Sequence, residues 1–181
     1  MKTRRLFAVC MAVAVLAFGG CRNPFNPDAK LRFERWVVGP NQEFTLRITQ
    51  NSAGALETVS ENLENLITTA NITNASTVPA KITGYNVVYR QLSSGEPIAS
   101  CGGAAGRRFS LFARIDGMAS NVYGEASLQL PAMLVTNELL THIAGDLTTT
   151  NGGIDCEVTF FGEDENGYDI QLDAVLHIDV L

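Results

Sequence analysis

Ile154-Asp155-Cys156-Glu157-Val158-Thr159-Phe160-Phe161, then Gly162-Glu163-Asp164-Glu165-Asn166-Gly167, then Tyr168-Asp169-Ile170-Gln171-Leu172-Asp173-Ala174-Val175-Leu176-His177-Ile178-Asp179-Val180-Leu181 is the stretch that decides the fold. Apolar side chains fall on the even positions from 154 to 160 and again from 170 to 180, with polar residues between most of them. Alternation with a period of two marks half-buried strands of an antiparallel sheet. Two inward-facing sets can oppose each other only if paired residue numbers add to an even sum, which a two-residue turn does not supply. A three-residue loop, Glu165-Asn166-Gly167, gives a sum of 332 and places glycine at the left-handed bulge position. Phe160 should then oppose Leu172, Val158 oppose Ala174 and Cys156 oppose Leu176. On the outward face Asp155 should oppose His177, a cross-strand pair that acts as a modest stabiliser rather than as an acid and base.

The same period runs through most of the chain. Phe44, Leu46 and Ile48 alternate with Thr45, Arg47 and Thr49; Leu66, Thr68, Ala70 and Ile72 alternate with Ile67, Thr69 and Asn71; and the same period runs through Phe109, Leu111, Ala113 and Ile115 and through Val122, Gly124, Ala126, Leu128 and Leu130. With Leu31 to Val38, Lys81 to Tyr89, Ile154 to Phe161 and Tyr168 to Leu181, eight strands are predicted. The apolar set of residues 82–89 changes phase between Ile82 and Tyr85, and a bulge at Gly84 would return both halves to one face. Asn74 to Pro79 reads as a loop. The Asn71-Ile72-Thr73 and Asn74-Ala75-Ser76 triplets read as turn chemistry rather than glycosylation sites. Leu139, Ile143 and Leu147 recur at a spacing of four, which predicts one short helix around 132–144, with Pro131 suited to its start.

Short strands, Gly- and Asn-rich turns and one helix predict a mainly β, antiparallel two-sheet sandwich spanning residues 31–181 as one domain. Ile72-Thr73-Asn74 with Pro79, followed by Ile82-Thr83-Gly84-Tyr85, Val87 and Tyr89, resembles the central strands of immunoglobulin-like domains in bacterial surface proteins. The alternative is an eight-stranded lipocalin-like barrel, although the sequence around Trp36 reads Glu34-Arg35-Trp36 and lacks the lipocalin Gly-X-Trp signature.

At the other end of the chain, Lys2, Arg4 and Arg5 precede thirteen apolar residues, Leu6 to Phe18. As a helix that run would be about 20 Å long, short of the roughly 30 Å needed to span a bilayer, so residues 1–20 read as a signal peptide. The ending Phe18-Gly19-Gly20-Cys21 resembles the lipobox of bacterial lipoproteins, with Phe18 where the family usually carries an aliphatic residue. The resemblance implies acylation at Cys21, which becomes the mature N-terminus and anchors the protein to a lipid membrane. Residues 21–30 are then the lipidated N-terminus and a tether containing Pro24 and Pro27. Arg22 stands where an Asp commonly marks inner-membrane retention, so the resemblance implies the outer membrane in a Gram-negative source.

Charge and composition narrow the partners. Hydrophobic residues make up 46% of the chain, too many for a disordered protein. Removing residues 1–20 takes away three cations and no acid, leaving ten cations against nineteen acids and a charge of −9. Scattered cations on an acidic body exclude nucleic acid as a partner.

Candidate sites are few. Cys101 and Cys156, the two cysteines left after processing, are expected to form a disulfide in an oxidising envelope, enclosing 54 residues. Glu163, Asp164, Asn166 and Asp169 offer hard oxygen donors of the kind Ca²⁺ takes, without the spacing of an EF-hand, and read first as a solvated hairpin tip. Gly102 to Arg108 (GGAAGRR) lacks the Lys-Ser/Thr ending of a P-loop and reads as a flexible loop. His142 and His177 are the only histidines, and neither a Gly-X-Ser-X-Gly elbow nor a His-Glu-X-X-His motif accompanies them. No catalytic residue and no cofactor is predicted. The expected function is a non-catalytic envelope lipoprotein making protein or glycan contacts. The alternatives are an envelope hydrolase with a site of scattered acids and histidine, and a carrier of a small apolar cargo.

Overall fold

The computed structural model describes residues 28–38, 45–50, 56–59, 68–130, 134–145 and 153–180. In chain order its elements are β1 (Leu31–Val38), β2 (Thr45–Gln50), β3 (Leu56–Val59), β4 (Thr68–Asn74), β5 (Ala80–Gln91), β6 (Arg107–Ile115), β7 (Gly124–Gln129), α1 (Asn137–Gly145), β8 (Ile154–Asp164) and β9 (Asp169–Val180). They form two sheets, β1-β4-β7 and β3-β2-β9-β8-β5-β6. Every pairing is antiparallel except that of β2 with β9, where Thr45 and Leu46 run parallel beside Asp179 and Val180. The architecture is a mainly β, two-sheet sandwich. The closed barrel does not form, because the strands divide into these separate three- and six-stranded sheets.

The β8–β9 hairpin has the register expected from its alternation. Phe160 faces Leu172, Val158 faces Ala174, Cys156 faces Leu176 and Asp155 faces His177. Gly167 closes the three-residue loop at φ +79°, and its N–H donates to the Asp164 carbonyl at 3.0 Å. The left-handed conformation is one that glycine adopts without the steric penalty of a Cβ.

Two bulges keep apolar side chains on the core face. The register of β5 shifts between Ile82 and Gly84 against both neighbours, and Ile82, Tyr85, Val87 and Tyr89 are all buried. In β1 the shift falls between Phe33 and Arg35, so Phe33 and Trp36 pack against the core although their numbers differ in parity. Aromatic rings then link the sheets: Phe33 meets Trp36 at 4.9 Å between centroids, Trp36 meets Phe160 at 6.3 Å, Phe160 meets Tyr85 at 6.0 Å and Tyr85 stacks on Phe109 at 5.1 Å. The Trp36 indole also donates to the Val175 carbonyl at 2.8 Å, tying β1 to β9.

Elsewhere the elements depart from expectation in specific ways. Nine strands appear among the described residues, the additional one being β3, whose four residues are too few to show a period. The expected strand from Val122 begins at Gly124, because Ala119 and Val122 bond to each other across a turn at Ser120 and Asn121. The helix spans Asn137–Gly145, its start capped by the Thr136 hydroxyl, which accepts from the Leu139 N–H at 3.3 Å. Leu139 and Ile143 are its buried face. Residues 1–27, which include the expected signal peptide, Cys21 and most of the expected tether, lie outside the described residues, as do Phe44, Leu66, Pro131 and Leu147.

Gly84 tests the bulge. A Cβ there would lie 2.5 Å from Cζ of Phe161 and 2.6 Å from the Phe109 carbonyl oxygen. Gly84→Ala is expected to destabilise the fold by about 1–3 kcal/mol through overpacking. Urea unfolding followed by the fluorescence of Trp36, the single tryptophan, measures this; an unchanged midpoint would contradict the packing.

Candidate functional site

The most tightly organised polar cluster lies at the pole of the sandwich where the chain joins the domain. Asn74, at the end of β4, is 0% exposed. Its Oδ1 accepts from the N–H groups of Lys30 (3.2 Å) and Ser76 (3.0 Å), and its Nδ2 donates to the carbonyls of Val78 (2.8 Å) and Asp116 (3.3 Å). One amide thus satisfies backbone groups at the start of β1, in the β4–β5 turn and in the β6–β7 connection. All four hydrogen-bonding positions of the side chain are used. The Asn74-Ala75-Ser76 triplet is therefore turn chemistry, whereas Asn71 lies within β4 and accepts from the Ser127 hydroxyl at 3.0 Å.

Asp164 is a second buried polar group at this pole, 4% exposed. One carboxylate oxygen accepts from the N–H groups of Asn166 (2.9 Å) and Tyr168 (3.0 Å), and the other from Ala29 (3.1 Å). The hairpin tip is thereby tied to the residues that lead into β1. Of the four donors considered for Ca²⁺, Asp164 is committed to backbone. Glu163 and Asp169 oppose each other on the outer face in a row with Lys81 and Arg114, and Asn166 is exposed in the loop. Among the described residues no group of three or more His, Cys, Asp or Glu side chains comes together to hold a metal.

No protein-family model and no curated protein sequence matches this chain.

The remaining candidates are scattered. Asp155 and His177 meet at 2.7 Å between Oδ1 and Nδ1 on the outer face of the six-stranded sheet, at the opposite pole, with side chains 31% and 45% exposed. An exposed pair of this kind contributes only about 0.2–1 kcal/mol. Beside it Arg90 bonds Glu157 at 2.8 Å, again across neighbouring strands. His142 lies on α1, and its buried Nε2 has no hydrogen-bond partner among the described residues.

Gly102 to Arg108 is structured rather than loose. It begins at Gly102, which ends the 3₁₀ turn Ala99–Cys101, and holds a second 3₁₀ turn, Gly103–Ala105, and the start of β6. Both guanidiniums are engaged: Arg107 pairs with Glu138 of α1 at 3.3 Å, and Arg108 lies over the Phe161 ring at 4.0 Å. Bonds from its own backbone amide, from Arg107 and from Thr136 hold the Glu138 carboxyl below its ordinary range.

The expected Cys101–Cys156 disulfide is not formed; both residues are free, buried thiols. Compartment and count carry no information on whether two thiols have the Cα separation and converging Cβ vectors that a bridge needs. Cys156 faces the core from β8 in register with Tyr89 and Leu176, while Cys101 ends a 3₁₀ turn beyond β5. Burial pushes both thiols above their ordinary pKa, and Asp155 and Glu157 push Cys156 further. Burial likewise raises the Tyr89 phenol, whose hydroxyl donates to the Leu134 carbonyl at 2.5 Å.

Two outcomes follow from these clusters. Asn74→Ala strands several buried backbone groups and is expected to destabilise the fold by about 2–4 kcal/mol, with Asn74→Asp, which keeps the acceptor and loses both donors, also destabilising. Chemical denaturation distinguishes this from a surface position, where the change would stay within about 0.5 kcal/mol. Because the thiols are buried and protonated at neutral pH, peptides carrying Cys101 and Cys156 should be alkylated slowly in native protein and fully after unfolding without reductant. A linked pair in non-reduced peptides would contradict the free thiols.

Proposed function

We propose that this protein is a membrane-anchored cell-envelope lipoprotein whose single sandwich domain is a non-catalytic module for protein or glycan contacts. The observation that carries the reading is the sequence Phe18-Gly19-Gly20-Cys21 behind a short charged and apolar leader. The position of the domain supports it. Ala29 and Lys30, eight and nine residues after Cys21, are hydrogen-bonded into one pole of the sandwich, so an anchor at Cys21 would hold that pole toward the membrane.

An immunoglobulin-like topology is part of the proposal. The order β1-β4-β7 in one sheet and β9-β8-β5-β6 in the other is what such a fold has when its strands are A, B, E and G, F, C, C′. The short helix between β7 and β8 and the parallel run of β2 beside β9 are compatible with that assignment. The hydrolase reading finds less support, since Asp155 and His177 form an exposed surface pair and Asp164 is used by backbone. The cargo reading finds less too, because large side chains such as Tyr85, Phe160 and Ile72 fill the space between the sheets.

Cys21→Ser should abolish acylation and leave either an unprocessed precursor or a protein that no longer fractionates with membranes. Mass spectrometry of the mature N-terminal peptide, with membrane fractionation, measures this. An unacylated wild-type protein found in the soluble fraction would overturn the proposal.

A further inference from the structure

The pole that receives the tether also carries an uncharged, partly apolar projection. From Gly117 to Gly124 the sequence GMASNVYG contains no charged residue, on a chain of net charge −6. At its tip Ala119 and Val122 exchange backbone hydrogen bonds at 3.0 and 2.9 Å around Ser120 and Asn121, whose φ angles are +52° and +65°. This is the two-residue hairpin turn with both central residues left-handed. Val122 and Tyr123 stand out from it, 67% and 57% exposed. The base is fixed: Met118 N–H donates to the Ser76 carbonyl at 2.6 Å, Gly124 pairs with Asn74, and a Cβ on Gly124 would collide with the Asp116 carbonyl.

Its position relative to the tether follows from the register. Leu31 and Gly124 both pair with Asn74, one from each side, so the root of the turn lies two strand spacings, roughly 10 Å, from the start of β1. Ala29 lies eight residues after Cys21, a reach of at most about 28 Å when fully extended. An acylated Cys21 therefore keeps the turn within a short distance of the lipid surface. There even a weak contact is populated, because the second encounter is intramolecular.

We infer that the Ala119–Tyr123 turn is a membrane-contacting tip that seats Val122 and Tyr123 in the interfacial layer of the bilayer to which Cys21 is anchored. This rests on the lipid-anchor reading and specifies which part of the domain meets the lipid. Tyrosine suits that layer, since its ring is apolar and its hydroxyl stays wet. The uncharged tip has no charged group to desolvate there. Behind it stand Glu125 and the Arg114–Asp116 ion pair at 3.1 Å, a set with no excess of cations, which fits a zwitterionic surface better than an anionic one. Contact at this pole turns the far end outward, where Leu92, the Asp155–His177 pair and the Arg90–Glu157 pair lie one β5 length, roughly 36 Å, away.

The test uses the full-length acylated protein in phosphatidylcholine vesicles, with an environment-sensitive fluorophore on Val122→Cys or, at the far pole, on Leu92→Cys. The unsubstituted protein supplies the background from the buried thiols. Spin-labelled phosphatidylcholine should quench the probe at 122 several-fold more than the probe at 92 and blue-shift only the former. Hydroxyl-radical footprinting of the unsubstituted protein in the same vesicles needs no variant, and should find Tyr123 protected relative to Leu92. Flotation with the vesicles but no difference between the two positions in either measurement overturns this inference alone. Failure to float overturns the lipid-anchor reading and this inference with it.

Discussion

A single buried amide organises one whole end of this molecule. Asn74 takes no contact with water, so each of its four polar positions had to find a protein partner or leave a desolvated group unpaired. The partners come from residues 30, 76, 78 and 116, which bring the start of β1, the β4–β5 turn and the β6–β7 connection to one point. Asp164 does the same for the β8–β9 loop and Ala29. Any slip of β4 against β1 or β7 would move Asn74 away from these groups. The network thus specifies register as well as contributing stability, as fully satisfied buried polar groups can.

The core depends on that registration. A strand alternates its faces strictly, so Phe33 with Trp36, and Ile82 with Tyr85, cannot both point inward unless one residue is set out of step. The bulges at residues 33–35 and 82–84 do this. What they achieve is the run of rings from Phe33 through Trp36, Phe160 and Tyr85 to Phe109, which crosses from the three-stranded sheet to the edge of the six-stranded one. Gly84 is the counterpart on the outer side. Its missing side chain leaves room for the Phe161 ring, over which Arg108 lies.

What could be read in the sequence was whatever depends on local period and turn chemistry. The 332 register followed from parity and from the left-handed preference of Gly167, and the β5 bulge followed from a phase change around another glycine. The parallel run of β2 beside β9 was out of reach, because it joins segments more than a hundred residues apart over only two paired positions. β3 was too short to carry a pattern. Whether Cys101 and Cys156 pair is not legible either, because a cysteine count holds no information on direction. Asn74 was the largest omission from the candidate sites. In sequence a buried, fully bonded asparagine is indistinguishable from the solvated Asn of any turn, and only the convergence of residues 30 and 116 on it shows the difference. The one local signal was its place immediately after an alternating strand and two residues before Ser76.

The arrangement at this pole also decides how the domain responds to a pull through its N-terminal side. β1 begins at the pole and runs away from it, antiparallel to β4. A force drawing Asp28 outward acts along the strand axis, and the β1–β4 hydrogen bonds lie nearly perpendicular to that axis. They are loaded together in shear rather than opened singly from one end. Before that ladder is stressed, the force must first break the Ala29 bond to Asp164 and the Lys30 bond to Asn74, both made to side chains anchored in other segments of the fold. The Trp36 indole, bonded to the Val175 carbonyl, adds a restraint from the opposite sheet further along the same strand. A domain attached at this point transmits tension into both sheets at once, so the polar groups that set its registers are also those that would carry its load.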